Sequence, residues 1–505
     1  MSYLINYSGK GQVGNLSDPN NWVGGVVPGS NNMALITMDV GGPISGTYKV
    51  GNMMLLGSEK ITFTGTLNTT GALNLCYGLY VCDGAVAAFA PGAVLNDAGV
   101  LVVGIDATGT FLAEGSGTKH SVINSAVGKL GLMDDGVGTV TIDNSTWNNS
   151  GEVVIGYRGK GTLNVTNGGS VHIGGNVWME NYTGSSGSIN ISSGGSVSVG
   201  GILAVGVAGS TSIASVSVGS GSSLTVRGEL VADAGIITID NGIWNDTQGA
   251  VIGSSGKGTV NVINGGSVSV GGSVELGLGA GSNGKLNIAS GGSVHLGGIL
   301  WVGANGNTAA STGSVTVGAG SSLTTNNLLF VNKGSELDIA GGTVTGGVTT
   351  NTINVVNGGL ISGFGSLVAP GSTPIQDNGV IRATGGTLAI TGNIGGPGSL
   401  QIDANSTATL TAAKIGLGSI AFIGPNATLA LAHGATVSSA VTGFTLGDMI
   451  SMANITAVSF TASTGVLKLM DNAVVAGSLH MVGNFSGETF AVHASGGTNI
   501  VALHT

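Results

Sequence analysis

The segment from Gly161 to Gly175 reads GTLNVTNGGSVHIGG, and a close copy, GTVNVINGGSVSVGG, runs from Gly258 to Gly272. In both segments apolar residues alternate with small polar residues up to a glycine pair, and the alternation then resumes. Because successive side chains of a β-strand point to opposite faces, this pattern predicts short strands with one buried face. Asparagine and glycine tolerate the left-handed backbone of a tight corner. The segment therefore predicts strands joined by glycine corners.

The copy belongs to a larger internal repeat. Residues Thr141 to Gly175 match Thr238 to Gly272, and Ser193 to Gly206 match Ser290 to Gly303, both at an offset of 97 positions. Inside each block, strand-like openings recur every 21 to 27 residues. One such unit cannot bury its apolar face alone, but a second unit stacked about 4.8 Å above it can. The repeat therefore predicts coils stacked on each other.

The predicted fold is all-β, a right-handed parallel β-helix (β-solenoid) with a small C-terminal β cap or domain. At roughly 23 residues per coil, the repetitive part would contain about 17 coils. Beyond it the glycine-pair corners disappear and the strands lengthen. The predicted divisions are an N-terminal strand and solenoid entry (1–44), the solenoid (45–440) with its duplicated blocks (141–237 and 238–334), and the C-terminal part (441–505).

The composition limits the classes of function. The 505 residues include 96 glycines, only 8% are charged, and 42% are hydrophobic and regularly placed, which excludes a disordered chain. The net charge of −10 comes without a basic patch, which excludes nucleic acid as a partner. A charge-poor surface rich in serine, threonine and asparagine is typical of secreted bacterial proteins. We expect a secreted, extracellular or cell-surface protein without membrane insertion, although the first residues show no signal peptide.

Several segments resemble the passenger regions of bacterial autotransporters and related secreted β-solenoid adhesins. These are the GTLNVTNGGSV unit, TIDNSTWNNSGEVVIG (Thr141 to Gly156) and NLSDPNNWVGGVVPGSNN (Asn15 to Asn32). FTLGDMISM (Phe444 to Met452) is similar to an element of surface proteins from α-proteobacteria. The resemblance concerns the solenoid region of these proteins and not their export machinery. It implies a rod-like protein of the bacterial surface.

Residues able to carry chemistry are few and scattered. Asp134 and Asp135 are adjacent, and Asp143 and Asp240 occupy equivalent positions of the duplicated block, as expected for structural repetition. The seven histidines lack metal-binding spacing, and the glycine-rich calcium-binding nonapeptide is missing. The sequence therefore predicts no catalytic, cofactor-binding or metal-binding residues, no cofactor, and a protein that is not an enzyme. Bound calcium stays open.

The N-terminal residues offer a possible assembly strand. In MSYLINYSG, the residues Tyr3, Leu4, Ile5, Asn6 and Tyr7 alternate as in a strand. Such a strand could add to an exposed sheet edge of a neighbouring copy. Head-to-tail contacts of this kind do not close, so they generate fibres. The predicted partner is therefore the protein itself, in a head-to-tail homopolymer.

Two pairs of residues leave alternatives open. Trp147 and Trp244 are equivalent in the repeat and could be corner aromatics over the apolar column or a stacking platform for a glycan. Cys76 and Cys82 are too far apart for a disulfide on one straight strand, but they could meet if the chain turns at Gly78. Otherwise they are two small buried side chains.

These observations support two main hypotheses of function. The first is a secreted structural protein of the bacterial cell surface, which self-assembles into an extracellular filament, layer or biofilm matrix through end-to-end β-strand contacts. The alternative is a carbohydrate-binding adhesin rod with surface glycans as partners. A polysaccharide-active enzyme has less support, because no Asp, Glu, Lys or Arg occurs from Asn181 to Val226.

Overall fold

A computed structural model describes residues 4–70, 79–180, 182, 184–207, 214–304, 311–347, 353–371, 373–495 and 498–504. It confirms the predicted all-β parallel β-helix, with about 16 turns. The one helical element in these ranges is a 3₁₀ turn, Pro19–Asn21. By their contacts the residues form two compact units. Unit 1 comprises Met1–Val251, Ser255–Val260 and Gly266–Val268, and unit 2 comprises Ile252–Ser254, Asn261–Gly265 and Ser269–Thr505.

The described residues form 52 strands. The first eighteen are β1 (Leu4–Asn6), β2 (Met33–Ile36), β3 (Thr47–Val50), β4 (Asn52–Leu55), β5 (Lys60–Phe63), β6 (Thr66–Thr69), β7 (Leu79–Val81), β8 (Val86–Phe89), β9 (Val94–Val103), β10 (Thr108–Glu114), β11 (Val122–Leu130), β12 (Val137–Asp143), β13 (Thr146–Asn149), β14 (Val153–Ile155), β15 (Lys160–Thr166), β16 (Ser170–Ile173), β17 (Val177–Met179) and β18 (Ser186–Ile191). The next eighteen are β19 (Ser196–Val199), β20 (Leu203–Val205), β21 (Ser215–Val218), β22 (Ser223–Val226), β23 (Leu230–Ala232), β24 (Ile236–Asp240), β25 (Ile243–Asp246), β26 (Ala250–Ile252), β27 (Lys257–Ile263), β28 (Ser267–Val270), β29 (Val274–Leu276), β30 (Asn283–Ile288), β31 (Ser293–Leu296), β32 (Leu300–Val302), β33 (Thr312–Gly318), β34 (Ser322–Thr325), β35 (Leu329–Val331) and β36 (Glu336–Thr345). The last sixteen are β37 (Ile353–Val355), β38 (Leu360–Val368), β39 (Ile375–Asp377), β40 (Val380–Thr391), β41 (Ile394–Ile402), β42 (Thr407–Leu410), β43 (Lys414–Phe422), β44 (Thr428–Leu431), β45 (Thr436–Val437), β46 (Ala440–Thr442), β47 (Met449–Met452), β48 (Ala457–Thr461), β49 (Val466–Asp471), β50 (Val474–Val482), β51 (Thr489–Ser495) and β52 (Thr498–His504).

In unit 1, each coil of the repetitive part contributes three strands that pair in parallel with the equivalent strands of the next coil. On the first face, Val140 of β12 lies beside Leu163 of β15, and Leu163 lies beside Ile189 of β18. All three side chains are fully buried. The alternating apolar residues therefore form columns that run from coil to coil, and these columns make up the core.

The corners use the predicted asparagine and glycine residues. After β15 the backbone is left-handed at Asn167 (φ 50°) and Gly168 (φ 79°). The next residue, Gly169, has no room for a side chain, because a Cβ there would lie 2.3 Å from the carbonyl oxygen of Ile142 on the coil below. The second glycine of the pair thus permits the close approach of two coils, while the first permits the turn.

The two copies of the duplicated block have the same local structure. In both β15 and β27, every second residue is buried, starting at Gly161 and Gly258 respectively. The strands that follow, β16 and β28, also have the same pattern of buried positions. The sequence repeat therefore corresponds to a structural repeat.

The first strands of unit 2 pair in parallel, and its last strands pair mostly in the antiparallel direction. Several of its strands are long, such as β36 and β38, and the pairing of these two shifts register after Ala340. Beyond β47 the pairing is mostly antiparallel: β52 pairs with β47 and β51, and β49 pairs with β48 and β50. The antiparallel strands lie against the last parallel ones. The predicted boundaries at 44 and 440 remain predictions.

Three buried aspartates share one hydrogen-bonding arrangement. In each, Oδ1 accepts the backbone N–H of the residue two positions later at 2.9 to 3.0 Å, while Oδ2 has no hydrogen-bond partner among the described residues. They are Asp97, Asp246 and Asp377. Burial raises the pKa of all three carboxyl groups, and it raises the pKa of Asp246 and of Asp377 to about 7.

These raised pKa values predict that stability decreases as the pH increases. A carboxyl group with a higher pKa in the folded state than in the unfolded state binds its proton more tightly in the folded state. Its contribution to the free energy of unfolding is therefore complete below about pH 4, and it is lost as the pH rises through about 7. The shift from 3.8 to about 7 corresponds to at most about 4 kcal/mol per site. We expect the urea concentration at the midpoint of unfolding to be lower at pH 8 than at pH 4.5.

Asp246→Asn should reduce this dependence. In the first copy of the block the equivalent residue is Asn149, whose Nδ2 donates to the carbonyl oxygens of Gly151 and Glu152 at 2.9 and 3.1 Å. An amide at position 246 cannot ionise, so we expect the variant to gain stability at pH 8 and to change little at pH 4.5. Equal urea midpoints of the wild-type protein at both pH values would contradict this account.

Candidate functional site: the terminal surfaces

The interior of the solenoid offers no converging set of reactive side chains in the described ranges. No group of three or more His, Cys, Asp or Glu residues in these ranges could hold a metal ion. Within the same part of the chain, no helix has the length and apolar character needed to cross a membrane. Asp143 accepts a hydrogen bond from the Asn167 side chain at 2.8 Å, so it joins two corners of adjacent coils. We therefore expect a functional site on the surfaces of the units.

The predicted assembly strand already belongs to the first coil. Leu4, Ile5 and Asn6 form β1, which pairs in parallel with β2, so that Ile5 lies beside Ala34. Tyr3 lies outside the described residues. The segment is paired within its own chain, and Ile5 is apolar and buried. The addition of this strand to a neighbouring copy stays a prediction.

The other side of β1 is partly covered by a cap. The backbone N–H of Val23 donates to the Asn6 carbonyl oxygen at 2.9 Å, and Tyr7 forms an antiparallel bridge with Trp22. The two rings pack edge to face with centroids 5.5 Å apart, and the Trp22 indole donates to the carbonyl oxygen of Leu16 at 2.8 Å. The cap thus closes part of the open end of the solenoid, where a strand edge would otherwise be exposed.

Around this cap, unit 1 exposes a group of large apolar side chains. We call it the N-terminal apolar surface, and it consists of Leu4, Val13, Val23, Val26 and Met38. Each of these side chains is between 42% and 64% exposed. None of them belongs to the core, and a second surface that covered them would remove apolar area from water.

Unit 2 exposes a second group near the other terminus of the chain. This C-terminal apolar surface consists of Ile423, Leu446, Val474, Val475 and Val482, and Val474 is 69% exposed. The described part of the chain exposes fifteen large apolar side chains, and ten of them belong to these two surfaces. Exposed apolar area is therefore concentrated near the termini.

The predicted aromatic residues lie inside the solenoid. Trp147 and Trp244 are only 0% and 2% exposed, because both occupy inward positions of their strands. The Trp147 indole donates to the Ser125 hydroxyl at 2.9 Å. Neither ring offers a face to a sugar, so the glycan-stacking alternative fails at these two positions. Both residues are packed against the apolar columns.

Cys82 carries a buried thiol that forms no disulfide with a described residue. Its Sγ lies 3.9 Å from the carbonyl oxygen of Leu55. Burial raises the pKa of this thiol to about 11, so it stays protonated at neutral pH. Cys76, its possible partner, lies outside the described residues.

Neither the family models nor the curated protein sequences give a match. Among solved structures, the chain is similar to a crystal structure of a TibC-catalysed, hyper-glycosylated TibA55-350 fragment. The TM-score is 0.33 and the identity is 19%, over 72% of this chain and 94% of the fragment.

The burial of Trp147 predicts a large loss of stability in Trp147→Ala. Removal of a buried tryptophan typically costs about 3 to 5 kcal/mol of unfolding free energy. Trp178→Ala is the matched control, because Trp178 points outward and is partly exposed. We expect urea denaturation to show a clearly smaller loss for the control. Equal losses for the two variants would contradict the inward position of Trp147.

Proposed function

We propose that the protein is a secreted structural component of the bacterial cell surface, and that copies assemble end to end into an extracellular filament, layer or matrix. The observation that carries this proposal is the concentration of ten of the fifteen exposed large apolar side chains on the two terminal surfaces. Where such side chains form a contiguous patch, that patch marks an interaction surface in soluble proteins. A contact between the N-terminal surface of one copy and the C-terminal surface of the next would cover both.

The type of contact determines the type of assembly. The two surfaces consist of different residues, so a contact between them is heterologous and leaves one unused surface at each end of every oligomer. Growth then continues without closure, as a filament requires. Because β1 is already paired with β2, the proposed contact relies on apolar side chains and not on a free N-terminal arm.

The rest of the chain is consistent with a structural role. Only 8% of the residues are charged, and the described core consists of aliphatic columns between paired strands. Such a core resists local unfolding, because each coil is held by main-chain hydrogen bonds to the coils on both sides of it. These properties favour a durable scaffold outside the cell.

Charged substitutions on each surface test the proposal. We expect wild-type protein to form polymers in sedimentation velocity at increasing concentration, and Val23→Asp and Val474→Asp each to prevent their growth. The control is Ile243→Asp, since Ile243 is 47% exposed but belongs to neither surface. It should polymerise like the wild type.

Mixing the two variants makes the test specific for a heterologous contact. Val23→Asp keeps an intact C-terminal surface and Val474→Asp keeps an intact N-terminal surface, so the equimolar mixture should form a dimer that neither variant forms alone. Dimers of either variant alone would indicate a contact between like surfaces and would contradict the proposal. Wild-type protein that stays monomeric at every concentration would contradict it as well.

A further inference from the structure

A long groove crosses the surface of unit 1, and its lining includes no residue of the two terminal apolar surfaces. It has a volume of about 1120 Å³ and passes over seven successive coils, from Asn68 on the first to Arg227 on the last. At about 4.8 Å per coil, its length is about 29 Å. Asparagine, serine and threonine supply most of its lining. The groove is too long for a small metabolite and suits an extended polymer.

One wall of the groove is a ladder of four asparagine side chains. Asn68, Asn96, Asn124 and Asn148 occupy equivalent outward positions on successive coils. The Nδ2 group of each of the last three donates to the Oδ1 atom of the preceding asparagine at 2.9 to 3.0 Å. The ladder holds the amide groups in one orientation at the spacing of the coils.

The ladder leaves hydrogen-bonding capacity on every coil. An asparagine amide has two N–H donors and an oxygen with two lone pairs, and a bond to each neighbour uses one of each. Asn96 and Asn124 therefore each keep one donor and one acceptor for a ligand. A donor and an acceptor side by side match a pair of adjacent hydroxyl groups.

The residues beneath the ladder hold the groove in place. Thr69 donates to Asp97 at 2.6 Å, and Ser125 donates to Asn149 at 2.8 Å. All four of these side chains are buried, although they border the groove. The floor is thus fixed by its own hydrogen bonds, so the ladder is organised before any ligand arrives.

We propose that this groove binds an uncharged polysaccharide, an extended chain of pyranose sugars lying along the ladder. The coils are about 4.8 Å apart, and this spacing is close to the length of one pyranose unit along an extended chain. An extended polypeptide advances only about 3.3 Å per residue, so its groups would fall out of step with the amides. The site is independent of the proposed end-to-end assembly.

Charge and polarity favour an uncharged ligand. Arg227 and His172 are the only basic residues that line the described groove, and they lie toward one end. The chain as a whole carries a net charge of −10, which disfavours a polyanion. Aromatic side chains do not contribute to the described lining, so specificity would come from hydrogen bonds.

Affinity electrophoresis tests the proposal with four probes: mixed-linkage β-glucan, glucomannan, xylan and galactan. We expect at least one of them to retard the wild-type protein, and we expect the double variant Asn96→Ala/Asn124→Ala to bind it at least tenfold more weakly. The matched control is Asn164→Ala/Asn190→Ala. It likewise replaces two hydrogen-bonded asparagines of adjacent coils, whose amide–amide bond is 2.9 Å long, in the same unit but outside the groove lining, and it should bind like the wild type.

A second pair of variants keeps the test decisive if the ladder variant fails to fold. Ser198→Tyr narrows the groove, whereas Ser217→Tyr places the same ring at an exposed outward position outside the groove lining. Only Ser198→Tyr should weaken binding. The proposal is overturned if none of the four probes retards the protein, if alginate or an unfolded casein binds in preference, or if the groove and control variants lose affinity equally.

Discussion

The parallel pairing of each coil with the next is the constraint on which the structure depends. It places equivalent residues of successive coils about 4.8 Å apart, so every position of a coil becomes a column. The inward columns need aliphatic side chains that fill the core, as Leu163 and Ile189 do. The outward columns do not need aliphatic side chains. A chain of this kind can therefore vary its surface without changing its fold.

The same pairing creates the features that we connect with function. A column of asparagines becomes a ladder because the coils impose one spacing and one orientation, which gives the groove on unit 1 its regular wall. Parallel stacking also leaves an open edge at each terminus. Near the N-terminus the Trp22 cap covers part of the edge, and near the C-terminus the antiparallel strand β52 pairs with β47. Exposed large apolar side chains occur in the segments that contain both elements. Assembly and ligand binding would therefore occupy separate surfaces.

Much of the fold could be predicted from the sequence, because alternation and glycine pairs are local signals. The inward position of Trp147 could not be predicted, because the corner at Asn144 interrupts the alternation. The pattern alone does not say whether a given side chain after the corner points into the core or toward the solvent. The asparagine ladder was missed because its members recur at unequal spacings of 28, 28 and 24 residues, so only the paired strands bring them together. The N-terminal strand was recognised from its alternation, but its partner, β2, required the structure.

Disulfide trapping measures the register of two neighbouring coils most directly. Thr162 and Ser188 are register partners on β15 and β18, whereas Asn190 lies beside Asn164, two positions further along. In protein lacking Cys76 and Cys82, the pair Thr162→Cys/Ser188→Cys should oxidise readily, because neighbouring strands bring the two Cα atoms within the reach of a disulfide. The pair Thr162→Cys/Asn190→Cys should not, since its Cα atoms would be about 8 Å apart. Equal oxidation of both pairs, or oxidation of the second alone, would contradict the stacking of coils in this register.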